Sequence, residues 1–547
     1  MNEEIVRADV LCVGGGIAGL MAAIRASELG ANVVVADKAN TVRSGSAGLG
    51  NDHFRCYIPE VHGPDIKPNL ESLARSQVGG PMRHTSFMRT WMEKSFDIVK
   101  LWEAWGIPMK YEGRYEFAGH GLPGRILASL KYAGRDQKSV LTREALKRGV
   151  TVMNRVMIFD LIDTGASLVA LGLNTRDGKL LVYEAKSVVL GTGLCTRLYP
   201  APTPGHMFNI AYSPNNTGDG RAMAYRAGAE LANLELTMRW AGPKYFARCG
   251  KGTWVGVLRD PQGKSIGPFV TKPDRKLGDM AADIWHSAFE DFAKSGKGPI
   301  YMDCGGISEE DYQYMVHWLN HEGNASFLQY LEEENINLKE QPVEFSTYEM
   351  HLSGGVYYNE KGETSVKGLY AAGDELFGGI SCAATFGWIA GDSAGGYAHS
   401  APASDARAVT SHIEEKKEAL HKMLGRTRGP GWKEANTALQ QIMQDYAGPV
   451  RSHTLLAAGL THVRRLKQKV STALVAQDIH ELARSLELIN LVDLAELLFL
   501  AAMERKETRA GHARVDYPFT NPLLDKLLMV KKVDGRPVME WREIRRG

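Results

Sequence analysis

The sequence predicts an α/β fold: a Rossmann-like domain interrupted by an insert and followed by a helical domain. Three observations carry this. The chain opens on a strand, glycine turn, helix and strand. The strand–helix rhythm lapses over 226–345 and returns at Gly368. From about residue 405, long helical patterns replace it. The expected parts are therefore 1–225 with 346–404, the insert 226–345, and 405–547.

Residues 8–13 form an apolar run ending in glycines. An alanine-rich helical stretch follows over 18–29, and 32–36 reads as a second buried strand, completing a βαβ unit. Helical patterns recur over 86–106 and 136–149, and 151–190 holds short strands around a turn at Asp177-Gly178. The insert is glycine-rich over 250–267 and predicts a helix over 278–294. The run Gly368 to Glu375 is a strand feeding a glycine turn and a helix. After the small-residue linker at 400–405, helices are expected over 410–425, 432–446, 451–470 and 476–504. No internal repeat is present.

Composition excludes several function classes. At 547 residues the chain can bury a large core without disulfides. Lysine plus arginine is 65 against 63 acids, a net charge of +2, which gives no electrostatic footprint for nucleic acid or an anionic membrane. No run of about 18 apolar residues reads as a transmembrane segment, and the first ten residues lack signal-peptide features. The six cysteines are scattered without a CxxC pair, so neither a disulfide framework nor a cysteine-ligated cluster is expected, and no metal site is assigned. The chain reads as cytoplasmic and reduced. Glycine, at 58 residues, is abundant enough to expect many tight turns.

The motif that carries the ligand is Gly14-Gly15-Gly16-Ile17-Ala18-Gly19. Gly14 permits the turn, Gly16 lets backbone approach a diphosphate, and Gly19 lets helix and strand pack closely. Asp37 ends the second strand 18 residues after Gly19, where an acid accepts from ribose hydroxyls. The unit does not itself separate NAD from FAD. Further motifs are Thr192-Gly193 after an apolar strand, Thr217-Gly218-Asp219-Gly220 before a helix, and Gly373-Asp374 at the end of the later strand.

With Arg43-Ser44-Gly45-Ser46, Asn490-Leu491-Val492-Asp493, the run Arg505 to His512 and Met539-Glu540-Trp541, the chain resembles the flavoprotein subunits of succinate dehydrogenase, fumarate reductase, L-aspartate oxidase and adenylylsulfate reductase, the last most closely. The resemblance implies FAD bound by a Rossmann-like domain, an inserted α+β capping domain and a helical C-terminal domain. It implies cofactor contacts from Gly14, Gly16, Gly19, Asp37, Lys38, Ser44, Gly45, Ser46, Gly50, Val156, Thr192, Gly193, Asp219, Gly373 and Asp374.

Departures from the family bear on chemistry. Gly45 stands where the respiratory enzymes attach flavin through a histidine, so the FAD is expected to be non-covalent. Thr385 stands where the dicarboxylate enzymes place an arginine, and Asp283 lies near the place of their proton-shuttling arginine. A threonine cannot make the charged fork that grips a carboxylate. Fumarate and succinate are thus unfavoured.

Arg248 falls near the substrate arginine of adenylylsulfate reductase. His351 stands near the family's histidine–glycine motif, one residue short in spacing. Both are catalytic candidates, as is His120; His53 is read as reaching the same cavity, and for His120 and His53 alike a surface or core histidine is the plainer reading. Arg509, His512 and Arg514 are secondary candidates at what reads as a solvated helix end, and 542–546 reads as an exposed tail. The implied activity is an FAD-dependent oxidoreductase acting on a small anion other than fumarate or succinate and passing electrons between the flavin and a ferredoxin-like iron–sulfur subunit. The alternatives are an enoate (C=C) reductase of the same fold and an electron-transfer or scaffold flavoprotein without its own substrate.

Overall fold

The computed structural model describes residues 3–74, 82–119, 126–165, 167–201, 210–244, 253–267, 270–277, 289 and 295–546. At its centre β1 (Glu3–Val13) pairs in parallel with β2 (Val33–Asp37) on one side and with the strand Leu180–Leu190 on the other. Val33 to Asp37 are all buried, as expected of a strand covered on both faces. Beyond β2 lies Thr151–Asn154, also parallel. The long strand Leu180–Leu190 is shared along its far edge: its first half pairs antiparallel with Leu168–Asn174, its last three residues parallel with Leu369–Ala371. One sheet thus joins segments from before and after the insert.

Helix α1 (Ile17–Glu28) packs on this sheet and against the 22-residue helix Gly379–Ser400. Small residues make that contact close: a Cβ on Gly387 or Gly391 would overlap backbone of Ala18 or Ala22. Across the insert, Ala241–Pro243, Val343–Thr347, Ile300–Asp303 and Val257–Arg259 form a separate antiparallel sheet. The helix Glu309–His321, capped by Ser308, covers its own core around Trp254, Met315 and Leu319. The helix expected over 278–294 lies outside the described residues except for Phe289.

The helices Thr410–Gly425, Trp432–Tyr446, His453–Ala473 and Ile479–Glu504 form the C-terminal bundle. The chain does not end there. A hairpin, Lys526–Val533 with Arg536–Glu543, returns to pair Met529 and Val530 with Ala232 and Leu231. The expected exposed tail holds for Glu543, Arg545 and Arg546 but not for Ile544, which is buried, or Arg542, half-buried with two hydrogen bonds to Glu230 (2.9 and 2.7 Å). The segment is also tied down, the Arg545 amide donating to His84 Nδ1 (3.0 Å) and Arg546 pairing with Asp525 at 2.8 Å.

Candidate active site

The carboxyl ends of β1, β2, Leu180–Leu190 and Leu369–Ala371 all point to one edge of the sheet, and a long cleft opens there. This is where open α/β sheets bind ligands. Of the cofactor positions assigned from the sequence, all line the cleft except Gly19 and Gly373.

The glycine turn explains its own composition. Gly14 has φ of +93°, and a Cβ there would press on the Gly191 carbonyl at 2.6 Å. On Gly19 a Cβ would overlap the Gly14 carbonyl oxygen, so no larger residue lets the turn close on α1. Gly16 differs: its φ is −69°, and a Cβ would meet only Gly191 O at 3.6 Å. Gly16 is also the N-cap of α1, with no side-chain cap and no acid in the first turn. The N–H groups at that end are thus not engaged by a capping side chain, at the positive end of the helix dipole. Gly373, at φ +64°, is wedged against Ala383 and Ala18.

Asp37 is buried and heavily used: one oxygen accepts from the Gly15 amide (2.8 Å) and Ser44 hydroxyl (2.9 Å), the other from the Ala39 amide (2.7 Å). Lys38 lines the cleft, but its ammonium is engaged by Thr217 (2.9 Å), Asp219 (2.6 Å) and Glu487 (2.9 Å). Asp219 also accepts from Thr217 and Asn490. Asp374 accepts from the amides of Gly378 and Gly379, fixing the start of the helix Gly379–Ser400. Ser46 accepts from Asn216 at 2.8 Å, while Gly45 (φ +76°) has nothing within 4 Å of a built Cβ.

Sequence reasoning missed several supporting residues. Arg221, fully buried, donates to the carbonyls of Gly193, Gly354 and Asp374, tying three loops at the cleft together. Glu375 accepts from the amide and hydroxyl of Thr192, both at 2.6 Å; burial raises its carboxyl above the ordinary value despite Arg221 and Thr192. Lys138 reaches beneath the turn to the Gly15 carbonyl, and burial lowers its pKa to about 8 against the pull of Asp37. Arg221 and Glu375 directly follow the quoted motifs, so proximity was their available signal; Lys138 had none.

A second group of side chains lines another part of the cleft: Asn51, His53, Tyr212, Trp240, Glu322 and Phe377. His53 Nδ1 lies 2.7 Å from Asp52 Oδ1. The other Asp52 oxygen faces Lys131 Nζ (3.0 Å) and accepts from Thr253 (2.6 Å). Burial opposes ionisation of Asp52, but Lys131, His53 and Thr253 outweigh it and hold the carboxyl far below the usual carboxylate range.

The catalytic candidates fare differently. His351 is fully buried, stacked edge-on against Tyr212 and Phe377 (5.0 and 5.3 Å), behind these cleft-lining rings rather than among them. Thr385 is buried and does not line the cleft. Arg248, His120 and Asp283 lie outside the described residues. The solvated helix end expected for Arg509, His512 and Arg514 is corrected. His512 and Arg514 are buried, and Arg509 pairs with Glu507 and Asp525. Burial, with Arg451, Arg505 and Arg514 nearby, pushes the His512 pKa well down. Its neutral ring accepts from Arg451 (3.0 Å) and donates to the Arg505 carbonyl (2.9 Å). This knot joins the C-terminal segment to Glu235 and Thr237, away from the cleft lining.

A glycine turn, an uncapped helix start and a cleft at the strand ends define a dinucleotide-binding architecture, and the comparisons identify the dinucleotide as FAD. Residues 9–387 match the model of the FAD binding domain, and 436–545 that of the fumarate reductase flavoprotein C-term. The chain belongs to this FAD-binding flavoprotein family. It is 25% identical to one subunit of the fumarate reductase (CoM/CoB) of Methanothermobacter marburgensis, over 97% of this chain and 98% of that one. It is 26% identical to the L-aspartate oxidase of Streptomyces coelicolor over 94% and 89%. In fold it is similar to adenylylsulfate reductase from Archaeoglobus fulgidus (TM-score 0.84, 21% identity, 100% and 97% covered). The chain is an FAD-dependent oxidoreductase of the fumarate reductase flavoprotein family. The residues present fit FAD: Gly16 leaves room where a side chain would stand, beside uncapped amides suited to a diphosphate.

Proposed function

We propose that this chain is the flavin-bearing redox subunit of a complex, moving two electrons between a small anionic substrate and an iron–sulfur partner, and that the substrate is neither fumarate nor succinate. Bound FAD supplies the two-electron chemistry. The protein's part is to hold it: Gly14, Gly16 and the amides of α1 on the diphosphate, Asp37 and Val156 on the nucleoside side, Gly45, Ser46, Thr192 and Gly193 along the remainder. Lys38, Asp219 and Asp374 line the same cleft and fix its loops.

The substrate assignment is carried by one observation. Among the described residues lining the cleft there is no arginine, and the one lysine has its ammonium bound to Asp219 and Glu487. With Thr385 buried in its helix, these residues offer no fork for a dicarboxylate. Arg248 is the arginine assigned to the substrate anion. Support for the partner is the set of six dispersed cysteines, the five described ones being buried free thiols.

The test is anaerobic reoxidation of the reduced holoprotein with fumarate, crotonate and adenylylsulfate. A lost charged bidentate contact is worth a few kcal/mol, and each 1.36 kcal/mol is tenfold in rate. Fumarate should therefore be at least about 100-fold slower than the best anion of the panel. Fumarate emerging as the fastest acceptor overturns the substrate assignment.

A further inference from the structure

The redox chemistry proposed above needs a proton as well as electrons, and the cleft offers few groups to carry it. Besides His53 and the phenol of Tyr212, which burial holds well above its ordinary pKa, the described lining contains five ionisable side chains. Asp37, Asp219 and Asp374 are each held by amides or fixed side chains, and Lys38 is locked between two acids. Glu322 is the fifth. His351, assigned the catalytic role from the sequence, stands behind Tyr212 and Phe377.

His53 is placed differently. It lines the cleft, its side chain is 30% exposed, and among the described lining residues it is the only imidazole. Its Nδ1 faces Asp52, whose side chain is completely buried. A carboxylate in that position accepts the Nδ1 proton, fixes the neutral ring in the tautomer with a basic Nε2, and stabilises the imidazolium. Asp52 is itself anchored by Lys131 and Thr253, from two separate segments of the chain. One polar atom each of Asp52, His53 and Glu322 lie within 4.8 Å of one another. His321 and Tyr132 join the same electrostatic neighbourhood through Asp52.

We propose that His53, oriented by Asp52, is the acid–base group of this cleft. The inference rests on the reading of the chain as a redox subunit for a small anion. In the reductive direction bound flavin would supply a hydride equivalent, two electrons with one proton, and the second proton leaves His53 Nε2: that N–H bond breaks as the electron pair developed on the substrate atom takes the proton into a new bond. The neutral ring regains a proton from water at its exposed face. Oxidation runs the same transfer backwards, with neutral Nε2 taking the proton. Asp52 is a positioning residue: it keeps its own charge throughout and sets which nitrogen works.

Two measurements on the FAD-loaded protein test this. In 15N-histidine NMR, with His53 assigned by its loss in H53Q, the neutral ring should carry its proton on Nδ1 and exchange the Nε2 proton with pH. In D52N the population of that tautomer should fall. A ring protonated on Nε2 when neutral overturns the proposal whether or not a substrate is known. In single-turnover reoxidation by the best anion of the fumarate, crotonate and adenylylsulfate panel, H53Q should slow the step about 100-fold or more, the usual worth of general acid–base catalysis. Its FAD affinity and melting temperature should match the parent. A large loss in E322Q with none in H53Q transfers the role to Glu322. If no anion reoxidises the parent, the substrate reading fails, and the NMR result alone decides whether His53 is built as an acid–base group.

Discussion

Glu487 is 2% exposed, yet it accepts from Lys38, Arg197 and Arg484 at 2.7–2.9 Å. Burial opposes its charge, but the three cations more than compensate and keep its pKa far below the ordinary 4.5. A carboxyl depressed in this way stabilises the fold above its unfolded value and loses that contribution as pH falls through its folded one. E487Q should therefore cost about 3–5 kcal/mol at neutral pH, because it leaves buried cations short of an anion. The gap from the parent in thermal unfolding should narrow below about pH 4.5; a gap constant across pH 3–8 contradicts the assignment. None of this was legible in the sequence, since Lys38 and Glu487 stand 449 residues apart and adjacency to Asp37 does not say where an ammonium turns. The glycine turn was legible, because its residues answer to backbone geometry alone. It yields a paired prediction. G16A, with open space at its Cβ, should fold normally and bind FAD at least about tenfold more weakly. G19A, whose Cβ overlaps the Gly14 carbonyl, should lose both FAD and stability. Equal behaviour of the two in fluorescence titration and thermal unfolding would show that Gly16 faces no ligand.

Among the elements, the C-terminal helices emerge from the sequence because amphipathic periodicity over fifteen or more residues is a strong signal. Two coincide with their expected bounds, Thr410–Gly425 and, for Trp432–Tyr446, the same fifteen residues. The hairpin at 526–543 was legible only as the family's terminal strand around Met539 to Trp541. Its first strand buries Leu527, Leu528, Met529 and Val530 in succession, which hides the alternation a strand usually shows. Its partner, Leu231–Ala232, is two residues long and nearly three hundred positions earlier. The second strand alternates exposed and half-buried. L528A, at a fully buried position, should destabilise by about 2–5 kcal/mol, whereas V538A, 41% exposed, should stay within about 0.5 kcal/mol. Chemical unfolding of the two variants checks the register; comparable losses would contradict it.

At the scale of the whole molecule, the sheet domain and the insert line one cleft, and the helical bundle reaches it only indirectly, through Glu487 on Lys38. Charged residues from all three reach toward it: Asp52 and Lys131 from the sheet's flank, Glu322 from the insert, Glu487 from the bundle. No helix among the described residues is long and apolar enough to cross a membrane. In the proposed reaction the flavin would exchange an electron pair with substrate, and an iron–sulfur protein would take or supply those electrons one at a time. The proposed function thus places an iron–sulfur protein beside this chain. Anaerobic purification from the native host, with iron, flavin and polypeptide stoichiometry measured on the active fraction, tests this most directly. The predicted result is one acid-extractable FAD per chain, together with a second, iron-containing polypeptide in constant ratio. A homogeneous, iron-free flavoprotein that turns over its substrate with nicotinamide or oxygen would contradict it.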